Sequence, residues 1–142
     1  MPTLNAALNA AATALTAERA RVEVAVSNLA NAESTRGPNG QPYRRRDVVL
    51  ASAPENTFAA ALGEASAVGV KVAGVVEDPT PFKRRYDPSH PDADGDGFVA
   101  MPNVDVPNEM VDMLSATRAY QANLSAIGMI RDLISRALEL GK

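Results

Sequence analysis

Apolar residues recur at helical spacing at both ends of the 142-residue chain. Near the start, Leu4, Leu8, Ala11, Leu15, Val22, Val26 and Leu29 follow intervals of three, four and seven, which predicts a helix. Thr3 is a plausible N-cap, and alanine fills most intervening positions at low entropic cost. The run Val22 to Val26 also alternates as a strand would, yet its Ala, Leu, Glu and Arg neighbours favour helix. Polar residues from Asn31 to Thr35, followed by Gly37-Pro38, predict the end. A second seam, formed by Met110, Met113, Leu114, Leu124, Ile127, Ile130, Ile134 and Leu138, marks a longer helix. Asp105 is its candidate N-cap, Pro107 suits its first turn, Glu109 favours the positive end of its dipole, and Gly141 can stop it. At about 1.5 Å per residue the two helices extend roughly 45 and 50 Å. That is longer than a compact chain of this size needs.

Between the helices the pattern changes to partial alternation. Gln41 to Ala51 and Val68 to Val76 have β-branched, partly alternating character between turn residues and predict strands, and Phe98 to Met101 can add a short one. Residues 52–67 are Ala-rich and read either as a short helix or as a loop, and the proline-rich residues 78–97 read as extended loop. Nine of the ten prolines fall between Pro38 and Pro107, so the middle is punctuated while both ends are free to be helical. The expected fold is α+β: two long terminal α-helices forming an antiparallel coiled coil with a small β-rich insertion between them. Residues 1–36 and 103–142 make the helical domain and residues 37–102 the inserted lobe.

Composition narrows the function. Hydrophobic residues make up 46% of the chain but aromatic ones only 4%, with no Trp, so the core is aliphatic and a large aromatic-lined ligand pocket is not expected. A net charge of -3 supplies no global attraction for nucleic acid or anionic lipid. The absence of Cys removes disulfides, thiolate zinc sites and a Cys nucleophile. No apolar run approaches the roughly 20 residues needed to cross a bilayer. The first twenty residues lack a basic leader followed by an apolar stretch, so no cleaved secretory signal and no membrane insertion are expected.

Three clusters invite a chemical reading. Asp92, Asp94 and Asp96, interleaved with Ala93, Gly95 and Gly97, resemble the start of a calcium loop. The twelfth position, however, is Asn103 rather than a bidentate Glu, so a solvated acidic turn competes with a small calcium-binding interaction module. Arg44-Arg45-Arg46 and Lys83-Arg84-Arg85 read as solvated edge charge paired with Asp47, Asp87 or the Asp92–Asp96 loop, or as contacts to a neighbouring subunit. Adjacent residues of a strand alternate faces, so neither triplet makes a single patch. His90 has no accompanying nucleophile motif and reads as a turn cap, so no enzyme activity and no cofactor are expected. Gly128 costs about 1 kcal/mol relative to Ala inside a helix, and a close backbone crossing would explain it. With little in the middle to cover the seams, the helices must bury them on each other, either in a self-contained hairpin or also against other chains.

The segment Ser27-Asn28-Leu29-Ala30-Asn31-Ala32 resembles the Asn-rich motif that closes the first helix in bacterial flagellar axial proteins. Further blocks are similar to the basal-body rod branch of that family: Gly37 to Arg44, Gly69 to Val72, Tyr86 to Ala93, Gly97 to Val99, Met101 to Val106, Glu109 to Asp112 and Arg118 to Asn123. The resemblance implies a structural subunit of the proximal rod that transmits torque without catalysis. It also implies export by the flagellar type III apparatus, and assembly in the periplasm with other rod proteins and with copies of itself. Its terminal helices would form an inner layer around the export channel. The residues expected to carry assembly are the seam positions Leu15, Val22, Leu29, Leu114, Leu124, Ile127, Ile134 and Leu138 and the motif positions Asn28, Asn31, Tyr43, Asn103, Glu109 and Tyr120.

Overall fold

A computed structural model of the chain describes residues 2–53 and 68–140. The stretch read as short helix or loop falls almost wholly outside the described residues, as does Gly141. Helix α1 runs Pro2–Ala30 and helix α2 Val106–Leu140. Since α1 already includes Pro2, Thr3 lies inside its first turn rather than capping it, and proline at a helix start forfeits no hydrogen bond. Asp105 caps α2 as expected: its carbonyl accepts from the Glu109 amide at 3.0 Å and its carboxylate from Asn108 Nδ2 at 3.1 Å.

The two helices pack antiparallel. Asn28 near the end of α1 meets Glu109 near the start of α2, and the helices stay in contact along their length. The covered stripe of α2 is Glu109, Met113, Ala116, Tyr120, Asn123, Ile127, Ile130 and Ile134, alternating steps of four and three. Such a 3.5-residue repeat keeps one line of side chains against a neighbouring helix. The solvent stripe of α1 has the same rhythm: Asn5, Asn9, Ala12, Thr16, Arg19, Glu23, Val26 and Ala30. The seam expected on α2 therefore divides. Met113, Ile127, Ile130 and Ile134 face α1, whereas Met110, Leu114, Leu124 and Leu138 are exposed. Adjacent positions such as 113 and 114 point about 100° apart, so a single neighbouring helix cannot cover both.

The described part of the insertion holds two separate antiparallel pairs. Strand β1 (Arg46–Ala53) pairs with β2 (Gly69–Glu77) from Arg46↔Glu77 to Ala53↔Gly69, with a register shift between Val49 and Leu50. This hairpin lies along α1. Thr13 Oγ1 accepts from the Val70 amide at 3.1 Å, and a Cβ on Gly69 would come within 3.0 Å of that oxygen, so glycine allows the approach. Strand β3 (Lys83–Tyr86) pairs with β4 (Phe98–Met101) from Lys83↔Met101 to Tyr86↔Phe98. The sequence reading placed β3 in loop, because three basic residues and a tyrosine, all exposed, have no apolar alternation to announce a strand. Its order comes from β4 and from the edge-to-face Tyr86–Phe98 pair, whose centroids are 5.2 Å apart. Gly97, at φ +80°, turns the chain into β4.

Among the described residues, fully covered apolar side chains are few: Ala17, Ala25 and Ala116 on the helices, and Val99, Met101 and Val104 ahead of α2. Among the largest fully buried side chains are Glu109 and Asn28, which are polar.

Candidate assembly interface

The polar residues converge on one knot where the two helices and the hairpin meet. Asn28, 1% exposed, donates through Nδ2 to the Arg46 carbonyl at 2.8 Å and to Glu109 Oε2 at 2.9 Å. Its Oδ1 accepts from the Arg46 amide and from the Tyr43 hydroxyl, both at 3.0 Å. One carboxamide thus uses both its donor and its acceptor to hold the hairpin and α2 against α1. Glu109, 2% exposed, also receives Arg45 Nε on Oε1 at 2.5 Å. Asn103, in the connection between β4 and α2, does similar work: Oδ1 accepts from the Arg45 amide at 2.7 Å, and Nδ2 donates to Thr80 Oγ1 at 2.9 Å. Every buried side-chain nitrogen and oxygen among the described residues has a partner, as a knot in low dielectric requires. Burial lowers the proton affinity of Arg45, but the hydrogen bond and charge of Glu109, with Asp47 and Asp78, outweigh it and leave the guanidinium raised above its ordinary value.

The motif positions Asn28, Tyr43, Asn103 and Glu109 are thus brought together by this chain's own fold. Asn31 stands apart and closes α1 locally, its Nδ2 donating to the Ser27 carbonyl at 2.9 Å and its Oδ1 accepting from Ser34 Oγ at 3.3 Å. Leu15, Val22, Leu29, Tyr120, Ile127 and Ile134 are half-buried on the helices, whereas Leu114, Leu124 and Leu138 are exposed at 50%, 54% and 59%. Val106, Met110, Val111, Met129 and Leu133 are exposed as well, so α2 carries apolar side chains on flanks that α1 does not reach. No helix among the described residues is long and apolar enough to cross a membrane. Open space surrounds Gly128, so any crossing it serves is not made by the described part of this chain.

Arg45 was missed as an individual. Both basic triplets were expected to be paired edge charge, and Arg45 to Asp47 at 3.6 Å, Arg84 to Asp94 at 2.6 Å and Arg85 to Asp87 at 4.0 Å are such pairs. Only the tertiary fold distinguishes the middle arginine, which reaches Glu109. Arg44 donates to the carbonyls of Asp78 and Thr80 and lies over Phe82, 4.4 Å from the ring centre.

In the acidic loop the Asp92 and Asp94 carboxylates are taken up by groups of this same chain. Asp94 Oδ1 accepts from the amides of Asp96 and Phe98 at 3.0 and 2.8 Å, while Asp92 takes Thr35 Oγ1 at 2.9 Å and Arg36 at 3.4 Å. The backbone bond from Phe98, the largest contribution, and that from Asp96, with Arg84 beside them, hold the Asp94 carboxyl below the usual aspartate range. Among the described residues no group of three or more His, Cys, Asp or Glu is placed to hold a metal ion, and nothing here favours the calcium reading. His90 Nδ1 accepts from the Asp92 amide at 3.1 Å, the turn-capping role expected of it.

With this geometry in view, two family models match the chain: one described as "Flagella basal body rod protein" over residues 8–38, and one described as "Flagellar basal body rod FlgEFG protein C-terminal" over residues 96–140. They fall on α1 with the turns after it and on β4 with α2. The chain is 47% identical over 132 residues to the flagellar basal-body rod protein FlgC of Salmonella typhimurium, covering 93% of each chain. The chain belongs to the FlgC family. The corresponding protein of Bacillus subtilis is 45% identical over 145 aligned residues, covering 95% of this chain and 96% of the relative. That of Borreliella burgdorferi is 39% identical over 147, covering 96% and 97%. In this FlgC-family chain the two matched regions are the ones that the polar knot ties together.

Proposed function

We propose that the chain is a structural subunit of the flagellar basal-body rod that works by packing, with no reaction of its own. In this reading it belongs to the proximal rod and transmits torque through helical, heterologous contacts with other rod proteins and with its own copies. Residues 1–36 and 103–142 form the rod core, residues 37–102 the outer lobe, and the helices extend their pairing into a coiled coil. The chain reaches the periplasm through the flagellar type III apparatus without signal cleavage.

Besides family membership, the supporting observation is the exposed apolar row Met110, Leu114, Leu124 and Leu138 on a helix already packed along another side. A helix apolar on several flanks is ordinarily buried, and large exposed patches mark interaction surfaces. Of the expected assembly residues, Leu114, Leu124 and Leu138 are available to partners directly, while the knot residues act by presenting α2 at a fixed angle. Leu124→Asp places a charge on the exposed flank without touching the knot. It should abolish rod incorporation and motility while secretion of the subunit continues. Normal swimming by cells carrying only this variant would refute the role of that flank.

A further inference from the structure

We propose that Arg45 and Glu109 form a charge-compensated latch that locks the β1–β2 hairpin to the helix pair, with Arg45 as its positioning residue. Arg45 sits one residue ahead of β1, with Nε 2.5 Å from Glu109 Oε1. Its terminal nitrogens lie 3.6 Å from Asp47, 3.7 Å from Asp78 and 3.7 Å from Asp112. One guanidinium therefore answers four carboxylates, drawn from β1, the connection after β2, and α2. The other cations packed nearby are engaged elsewhere. Arg21 of α1 borders the same small hollow but pairs with Glu18 at 3.0 Å, and Arg46 pairs with Glu77 at 3.7 Å.

Glu109 is the group at stake. Its second oxygen is held by Asn28 of α1 at 2.9 Å, but an amide supplies a hydrogen bond and no charge. Removing the guanidinium leaves a buried carboxylate bordering a hollow that Asp47 and Asp112 also line, with no cation to offset it. Such a group must bind a proton or escape to water, and escape means that the hairpin and α1 separate from α2. In an Arg45→Gln chain the proton affinity of Glu109 therefore rises above its unfolded value. Stability is then present at low pH and lost as the pH rises through the raised folded value. Replacing both partners by neutral amides removes the stranded charge and its pH dependence together.

The test uses the purified full chain and stands apart from the rod reading, since it needs no assembly; its failure would leave that reading intact. Thermal unfolding followed by circular dichroism from pH 4.5 to 8, with amide exchange of the hairpin, is compared for wild type, Arg45→Gln, and Arg45→Gln with Glu109→Gln. At pH 7.5 Arg45→Gln should melt about 10 °C below wild type, as expected for a buried pair broken on one side in a chain of this size. The deficit should shrink toward pH 4.5, hairpin amides should exchange faster, and the double variant should recover at least half of the loss with a flat pH profile. Should Arg45→Gln fail to fold at neutral pH, refolding at pH 4.5 or in the double variant supports the latch, and failure of both overturns it. A deficit independent of pH, a double variant no better than the single, or an unchanged melting point also overturns it.

Discussion

At the scale of single residues, side chains that look equivalent in sequence divide by what they touch. Asp94 is exposed, yet its carboxylate closes the turn between β3 and β4, and its depressed proton affinity ties that turn to pH. The contribution is present above the ordinary aspartate range and lost as the pH falls through the lowered folded value. Exchange of the Phe98 amide, corrected for its intrinsic pH dependence, should therefore accelerate in acid, and Asp94→Asn should remove that acid dependence. An unchanged profile in Asp94→Asn would assign the effect elsewhere. The triple arginine shows where residue-level reading stops. Arg44, Arg45 and Arg46 are chemically identical neighbours, and alternation predicts only that the middle one faces away from the others. That it meets Glu109, 64 positions later, is decided by the helix pairing. The resemblance drew attention to Asn28, Tyr43, Asn103 and Glu109, but the carboxamide that both donates and accepts among them is visible only in three dimensions.

At the scale of elements, both helices were legible because each repeats its signal over about thirty residues, long enough to outweigh local ambiguity such as Val22 to Val26. Strands β1 and β2 were legible from β-branched, partly alternating stretches and β4 as a short addition, although β1 starts at Arg46 rather than Gln41 because the residues before it are drawn into the knot. Strand β3 was not, since four exposed basic and aromatic residues take their order from a partner strand. The hairpin raises a further question of support, because two strands alone are marginal in water. Part of that support comes from Thr13, whose hydroxyl donates to the Ala10 carbonyl at 2.8 Å while accepting from Val70. Thr13→Val keeps the shape and removes both bonds. It should cost about 1 kcal/mol and raise exchange at the Val70 amide, leaving the α2 side of the knot unchanged. Equal loosening of Asn28 and Glu109 would mean that the hairpin and the knot unfold as one unit.

At the scale of the whole molecule, cohesion is uneven. The Arg45 and Arg46 amides are held at 2.7 and 3.0 Å by Asn103 and Asn28, and the buried apolar groups Val99, Met101 and Val104 lie just ahead of α2. Farther along, Leu124, Met129, Leu133 and Leu138 face solvent, and cover on α2 narrows to the stripe ending at Ile134. Local opening costs least where few apolar contacts must break. In the free chain, amides around Arg45, Arg46 and the start of α2 should therefore be the slowest to exchange, and those of residues 124–139 should exchange at least tenfold faster. Partners that bind only the ordered helix would stabilise it by mass action, so incorporation into a rod should slow the second group far more than the first. Hydrogen exchange read by mass spectrometry on free and assembled protein measures both. If residues 124–139 are as protected in the free chain as the knot is, the exposed row needs no further cover, and the physical case for α2 as an assembly surface fails.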